Sequence, residues 1–79
     1  MESYEETQRK VVEYLSKVCA APPELTDSLA IIGIDSVAMA EMTFEFEKRF
    51  GIRIDDEILD VDTVDQLIRY VHERQLARN

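Results

Sequence analysis

A chain of 79 residues has the length of one domain, 1–79. Folding at that size buries only about 60% of the unfolded surface, which leaves little room for both a core and an enclosed active-site cavity. Hydrophobic residues at 46% argue against disorder, and seventeen acids against nine bases, net −8, argue against nucleic acid as a partner, because phosphate backbones demand a basic footprint.

Only two Gly and two Pro occur, and β-branched residues do not gather into alternating runs, so the fold class expected is all-α. The first helix opens at Ser3-Tyr4-Glu5-Glu6, a capping box in which Glu follows Ser by three. Tyr4, Val11, Leu15 and Val18 recur at helical spacing, with Val12 and Cys19 beside them. Pro22-Pro23 cannot continue a helix, which puts its end near Ala20. Cys19 flanks the apolar stripe and reads as a small buried hydrophobe.

Residues 21–35 form a long connection. Leu25, Leu29, Ile31, Ile32 and Ile34 make it a segment that packs over the core, with a short helical turn offered by Thr26-Asp27-Ser28. A loop of about 15 residues inside so compact a domain is usually functional or disordered, and its apolar content speaks against disorder.

The second helix is expected over Ser36 to Phe50, stopped by Gly51. Projected at about 100° per residue, Met39, Met42, Thr43, Phe46 and Phe50 share one face, which should be core. Val37, Ala40 and Phe44 form a second stripe on a different face, with Glu41, Glu45, Glu47 and Lys48 around it. Two apolar stripes on one surface helix mean either a surface made to be contacted or a helix covered on two sides by the 21–35 loop.

Ile52 and Ile54 flank Arg53 in a short extended connection, and Asp55 to Asp60 suit a single helical turn with acids at its positive end. Asp60, Asp62 and Asp65 invite a calcium reading, which fails because the sixth and twelfth loop positions would be Asp65 and Val71 instead of Gly and Glu. Thr63-Val64-Asp65-Gln66 is a second capping box. Val64, Leu67, Ile68 and Val71 then form one apolar face of a helix ending near Leu76. His72 sits at the edge of that face as a partly exposed surface residue, and a basic tail follows from Arg74. The outline is a small up-down helical bundle of three main helices plus one short helix, with a long first loop.

Enzymatic chemistry fits poorly. A serine nucleophile needs a base held by a third group, the only histidine is His72, and the surroundings of Ser36 do not match a Gly-x-Ser-x-Gly elbow. One Cys and one His make no metal cluster, and no glycine-rich phosphate loop occurs. The single Cys19 cannot form an internal disulfide, which suggests a reducing compartment. No apolar run is long enough to span a membrane and the N-terminus lacks signal-peptide features, so the cytoplasm is expected. Charge is uneven: Asp35 to Asp65 holds ten acids and three bases, net −7, and the remainder seven acids and six bases, net −1. That acidity points to basic protein partners and steered encounters. What remains chemically is Ser36 as an acceptor, presented at the start of a helix beside Asp35, which can engage the N-terminal N–H groups.

The string Ile32-Gly33-Ile34-Asp35-Ser36-Val37, followed at fixed spacing by Glu41, Phe46, Phe50-Gly51-Ile52 and Ile54, resembles the acyl carrier protein family, whose pattern is Gly-x-Asp-Ser-Leu and then a helix ending in Phe-Gly-Ile. The resemblance extends to helix order, loop length, acidity and chain length. It implies a non-enzymatic carrier in which Ser36 bears a covalent 4′-phosphopantetheine arm from coenzyme A, with Asp35 beside it and an acyl or aminoacyl cargo held as a thioester. It also implies partners: a phosphopantetheinyl transferase, an acyltransferase or adenylating/ligase loading enzyme, and a ketosynthase or other downstream synthase acting on a monomer. In that family the helix after the serine is the main docking surface, which gives Asp35, Val37, Ala40, Glu41, Phe44, Glu45 and Glu47 as candidate partner contacts. Val37 stands for the usual Leu, Ala38 for a frequent acid, and Lys48 and Arg49 interrupt a customary acidic run. With the bulky Phe44, these departures suggest a freestanding carrier of a specialised pathway, polyketide or mixed polyketide–peptide. The alternatives are a housekeeping fatty-acid carrier, a helical interaction module without an arm, and a small hydrolase resting on Ser36 and His72.

Overall fold

The computed structural model describes residues 3–19 and 22–77. In order they form α1 (Tyr4–Val18), α2 (Ser36–Phe50), a five-residue 3-10 helix (Asp56–Asp60) and α3 (Val64–Ala77). This is a helical bundle with a long first loop, and its only β pairing among the described residues is an isolated antiparallel bridge between Ser28 and Thr63.

Local chemistry sets the helix limits. The Ser3 hydroxyl accepts from the Glu6 N–H at 3.2 Å and opens α1. The helix ends at Val18, two residues before the expected Ala20. Cys19 is already extended, at φ −109° and ψ 158°, while its N–H still donates to the Leu15 carbonyl at 2.9 Å. Val18 and Cys19 are weak helix formers just ahead of Pro22-Pro23, so the break falls early. Thr63 completes a reciprocal box for α3: its hydroxyl accepts from the Gln66 backbone N–H at 3.2 Å, and the Gln66 side-chain Oε1 accepts from the Thr63 and Asp62 N–H groups at 3.3 and 2.8 Å. The residue beyond α2, Gly51, takes the left-handed conformation at φ 63° and ψ 37° that favours glycine.

The first loop does more than cross the surface. Leu29 and Ile34 are buried in the core and Ile32 packs against it, whereas Ile31 is 85% exposed. The helical turn expected at Thr26-Asp27-Ser28 does not form. The Asp27 N–H closes a turn onto the Glu24 carbonyl at 3.1 Å, and the chain then pairs with the start of α3. The carbonyls of Asp27 and Leu25 accept from the Val64 and Asp65 N–H groups at 3.0 and 2.9 Å. Those N–H groups have no acceptor inside their own helix, so the loop satisfies them, and that need overrides a local turn.

The core closes where three helices meet. Val11 and Leu15 of α1, Met42 and Phe46 of α2, and Val64, Leu67, Ile68 and Val71 of α3 are fully buried. Phe46 lies edge-on to Tyr14 and Phe50, with ring centroids 5.2 and 5.5 Å apart. A buried hydrogen bond of 3.2 Å from the Thr7 hydroxyl to Gln75 ties α1 to α3. The 3-10 helix buries Ile58 and is pinned to α3 through Asp55. The Asp55 carboxylate accepts from the Glu57 N–H at 3.1 Å, the Tyr70 hydroxyl at 2.9 Å and Arg74 at 3.1 Å.

Candidate functional site

The turn that presents Ser36 is built by glycine and aspartate. Gly33 adopts φ 101°, a region L side chains rarely enter. The loop folds back there, the Gly33 N–H donating to Ala30 at 3.2 Å and the Ile34 N–H to Leu29 at 2.9 Å, which returns Ile34 to the core. Asp35 is then extended as the N-cap, and its carboxylate accepts from the Ala38 N–H at 2.8 Å. The carboxylate therefore serves the helix end and leaves Ser36 alone.

Ser36 is exposed at the first position of α2, and among the described residues its hydroxyl has no hydrogen-bond partner. The first N–H groups of α2, at Ser36 and Val37, lack acceptors within the helix, and the first turn carries no acid. An exposed, unpartnered hydroxyl at the positive end of a helix suits a phosphodiester, whose negative charge that end stabilises. His72 belongs elsewhere: its ring meets Tyr4 edge-on at 5.2 Å between α3 and α1, and its Nδ1 is buried without a hydrogen-bond partner.

The outward face of α2 is open. Val37 is 68% and Phe44 61% exposed, and Ala40 and Glu41 are exposed as well, so the 21–35 loop does not cover the second stripe. The candidate docking acids are not equivalent. Among the described residues Glu41 makes no ion pair or hydrogen bond. Glu45 is half-buried and paired with Arg49 at 3.1 Å, and the Arg49 guanidinium lies over the Tyr14 ring at 5.9 Å. Burial, then the carboxylates of Glu45 and Glu41, pushes the Tyr14 phenol above its ordinary value. The half-buried Glu47 accepts from the Ile54 N–H at 2.9 Å, bridging the turn at Gly51. Sequence spacing could not show this, because the contact crosses a chain reversal. Lys48 was readable as Phe44's neighbour one turn on, and its ammonium lies 5.3 Å from the Phe44 ring centre.

The family described as "Phosphopantetheine attachment site" matches residues 9–71. The chain belongs to the acyl carrier protein family. It is 34% identical over 74 residues to an acyl carrier protein of Amoebophilus asiaticus, covering 87% of this chain and 92% of that one. An acyl carrier protein of Thermotoga maritima is 29% identical over 79 residues, covering 94% of this chain and 98% of that one. The crystal structure of a Thermotoga maritima acyl carrier protein shares the fold, with a TM-score of 0.78 at 24% identity over 96% of this chain and 94% of that one. Membership makes this chain a carrier of covalently attached 4′-phosphopantetheine and not an enzyme. The arm supplies a terminal thiol on a flexible tether. Among the described residues, no helix is long and apolar enough to cross a membrane.

Proposed function

We propose that Ser36 is the attachment point of the arm and that the protein shuttles a thioester-bound acyl or aminoacyl intermediate between the enzymes of a specialised pathway, polyketide or related. The carrying observation is the Ser36 hydroxyl itself: exposed, without a partner among the described residues, and set at the open end of α2 by a cap that uses Asp35. A phosphopantetheinyl transferase installs the arm. A loading enzyme, acyltransferase or adenylating ligase, charges it, and a ketosynthase or other synthase unloads it. The protein works as a monomeric single domain in a reducing cytoplasm, which suits the unpaired Cys19. The pathway reading rests on the α2 face, where Phe44 and Lys48 replace a plain acidic surface.

Co-expression with a broad-specificity phosphopantetheinyl transferase tests the attachment point. Intact-protein mass spectrometry should show one added arm in the wild type and none in Ser36→Ala, with both proteins equally helical by circular dichroism. An arm retained in Ser36→Ala overturns the assignment. The mass of the cargo on protein from its native host separates a specialised intermediate from an ordinary growing fatty acyl chain.

A further inference from the structure

We infer that Lys48 is a specificity-determining residue for the transferase that arms this protein, and that the transferase meets α2 with a face of mixed charge: a base towards Glu41, an apolar pocket for Phe44, and a carboxylate opposite Lys48. The inference rests on the carrier reading of Ser36 and concerns the chemistry of one partner.

The geometry of the helix puts these residues in one line. Val37, Glu41, Phe44 and Lys48 follow one another at intervals of four, three and four, so they fall within about 60° around the α2 axis. Val37 and Phe44 are mostly exposed and Glu41 and Lys48 are exposed too, so nothing among the described residues covers the line. The other charges on this helix are engaged. Glu45 holds Arg49, Arg49 also covers Tyr14, and Glu47 holds the Ile54 N–H. What α2 offers a partner is therefore one acid, one aromatic ring and one base in that order, the base resting over the ring at 5.3 Å.

The transferase must read this line more closely than any later enzyme. Before the arm is present there is no tether, so the enzyme has to bring coenzyme A to the hydroxyl itself. The Ser36 Oγ–P bond forms as the phosphoanhydride bond breaks, adenosine 3′,5′-bisphosphate leaves, and the hydroxyl proton goes to a base on the transferase. That contact seats the enzyme's body on the first turns of α2. Lys48 is twelve residues from Ser36, roughly 18 Å along the axis, and a patch of about 800 Å² per partner reaches that far. A uniformly basic transferase face would put like charge against Lys48, and like charges across an interface disfavour the wrong partner. A carboxylate there converts the same residue into an attraction.

The test is the kinetics of arm transfer from coenzyme A by the source organism's own phosphopantetheinyl transferase. Apo protein is compared as wild type, Glu41→Lys, Phe44→Ala, Lys48→Glu and Lys48→Arg, all checked for helicity. Glu41→Lys, Phe44→Ala and Lys48→Glu should each raise KM about tenfold with kcat within about twofold, since docking alone is weakened. Lys48→Arg should stay near wild type. A KM for Lys48→Glu that is unchanged or lower overturns the proposal, because a basic or neutral surface then faces this end of the helix. Failure of the carrier reading looks different: the wild type accepts no arm from any transferase.

Discussion

At the scale of single residues, the proposed attachment site depends on backbone conformations that only certain side chains permit. Gly33 sits at φ 101°, and a Cβ built there meets no atom within 4 Å. Any cost of Gly33→Ala is therefore conformational and not steric, about 1–2 kcal/mol for forcing an L residue into this region. Urea unfolding should show an unfolding free energy lowered by that amount at an unchanged slope, with arm installation on the surviving folded protein close to normal. A stable variant that loads poorly would mean instead that the glycine is read by the transferase. Much at this scale was legible in the sequence. Asp35 and Ser36 were visible as a cap followed by an exposed hydroxyl, because capping is local and reaches only three residues ahead. Glu47 was not legible in the same way. Its spacing beside the apolar stripe made it a candidate docking acid, but its carboxylate turns to the Ile54 N–H beyond Gly51. It faces a demand for an acceptor that exists only once the chain has reversed.

At the scale of elements, three helices and a short turn were readable from periodicity and caps, while the fastenings between them were not. The loop carbonyls that cap α3, and the Asp55 cluster that holds the 3-10 helix, join residues far apart in sequence. Asp55 looked like one more acid at a helix start. In the fold its pKa lies below the usual carboxylate value, because it accepts first from the Glu57 N–H, then from the Tyr70 hydroxyl, and faces Arg74. A depressed folded value means the carboxylate contributes stability above its unfolded pKa, near 3.8, and loses it as pH falls through the lower folded value. The stability difference between wild type and Asp55→Asn should accordingly be full at neutral pH and shrink towards zero in strong acid. Tyr70→Phe removes a hydroxyl that both donates to Asp55 at 2.9 Å and accepts from its N–H at 3.2 Å, for a loss of about 1 kcal/mol. Urea midpoints across the acid range check both variants. A gap between wild type and Asp55→Asn that does not change with pH would show that the carboxylate's charge plays no part in fastening the turn.

At the scale of the whole molecule, charge and shape act together. The bundle is small, so its core occupies the interior and its function lies on the outside. Of the net −8, −7 falls between Asp35 and Asp65, the stretch that starts at the proposed attachment site and carries α2 and the 3-10 helix. A basic enzyme therefore feels this side of the molecule before it touches it, even though on α2 Glu41 is the one acid without a partner among the described residues. Long-range attraction and close contact are separable here. On the proposed reading, the field of the segment sets how often partners meet, and the line from Val37 to Lys48 sets which encounters persist. Salt distinguishes the two, since the screening length contracts from about 10 Å at 0.1 M to about 3 Å at 1 M. Arm installation by the source organism's transferase at limiting substrate should fall several-fold over that range, through slower association. Neutralising Asp56, Asp60 and Asp62 together should flatten this dependence and leave the turnover rate at saturation unchanged, because all three are exposed and among the described residues their side chains fasten nothing. A triple variant with the salt response of the wild type would move the attraction back to α2 and leave the rest of the acidic segment without a part in docking.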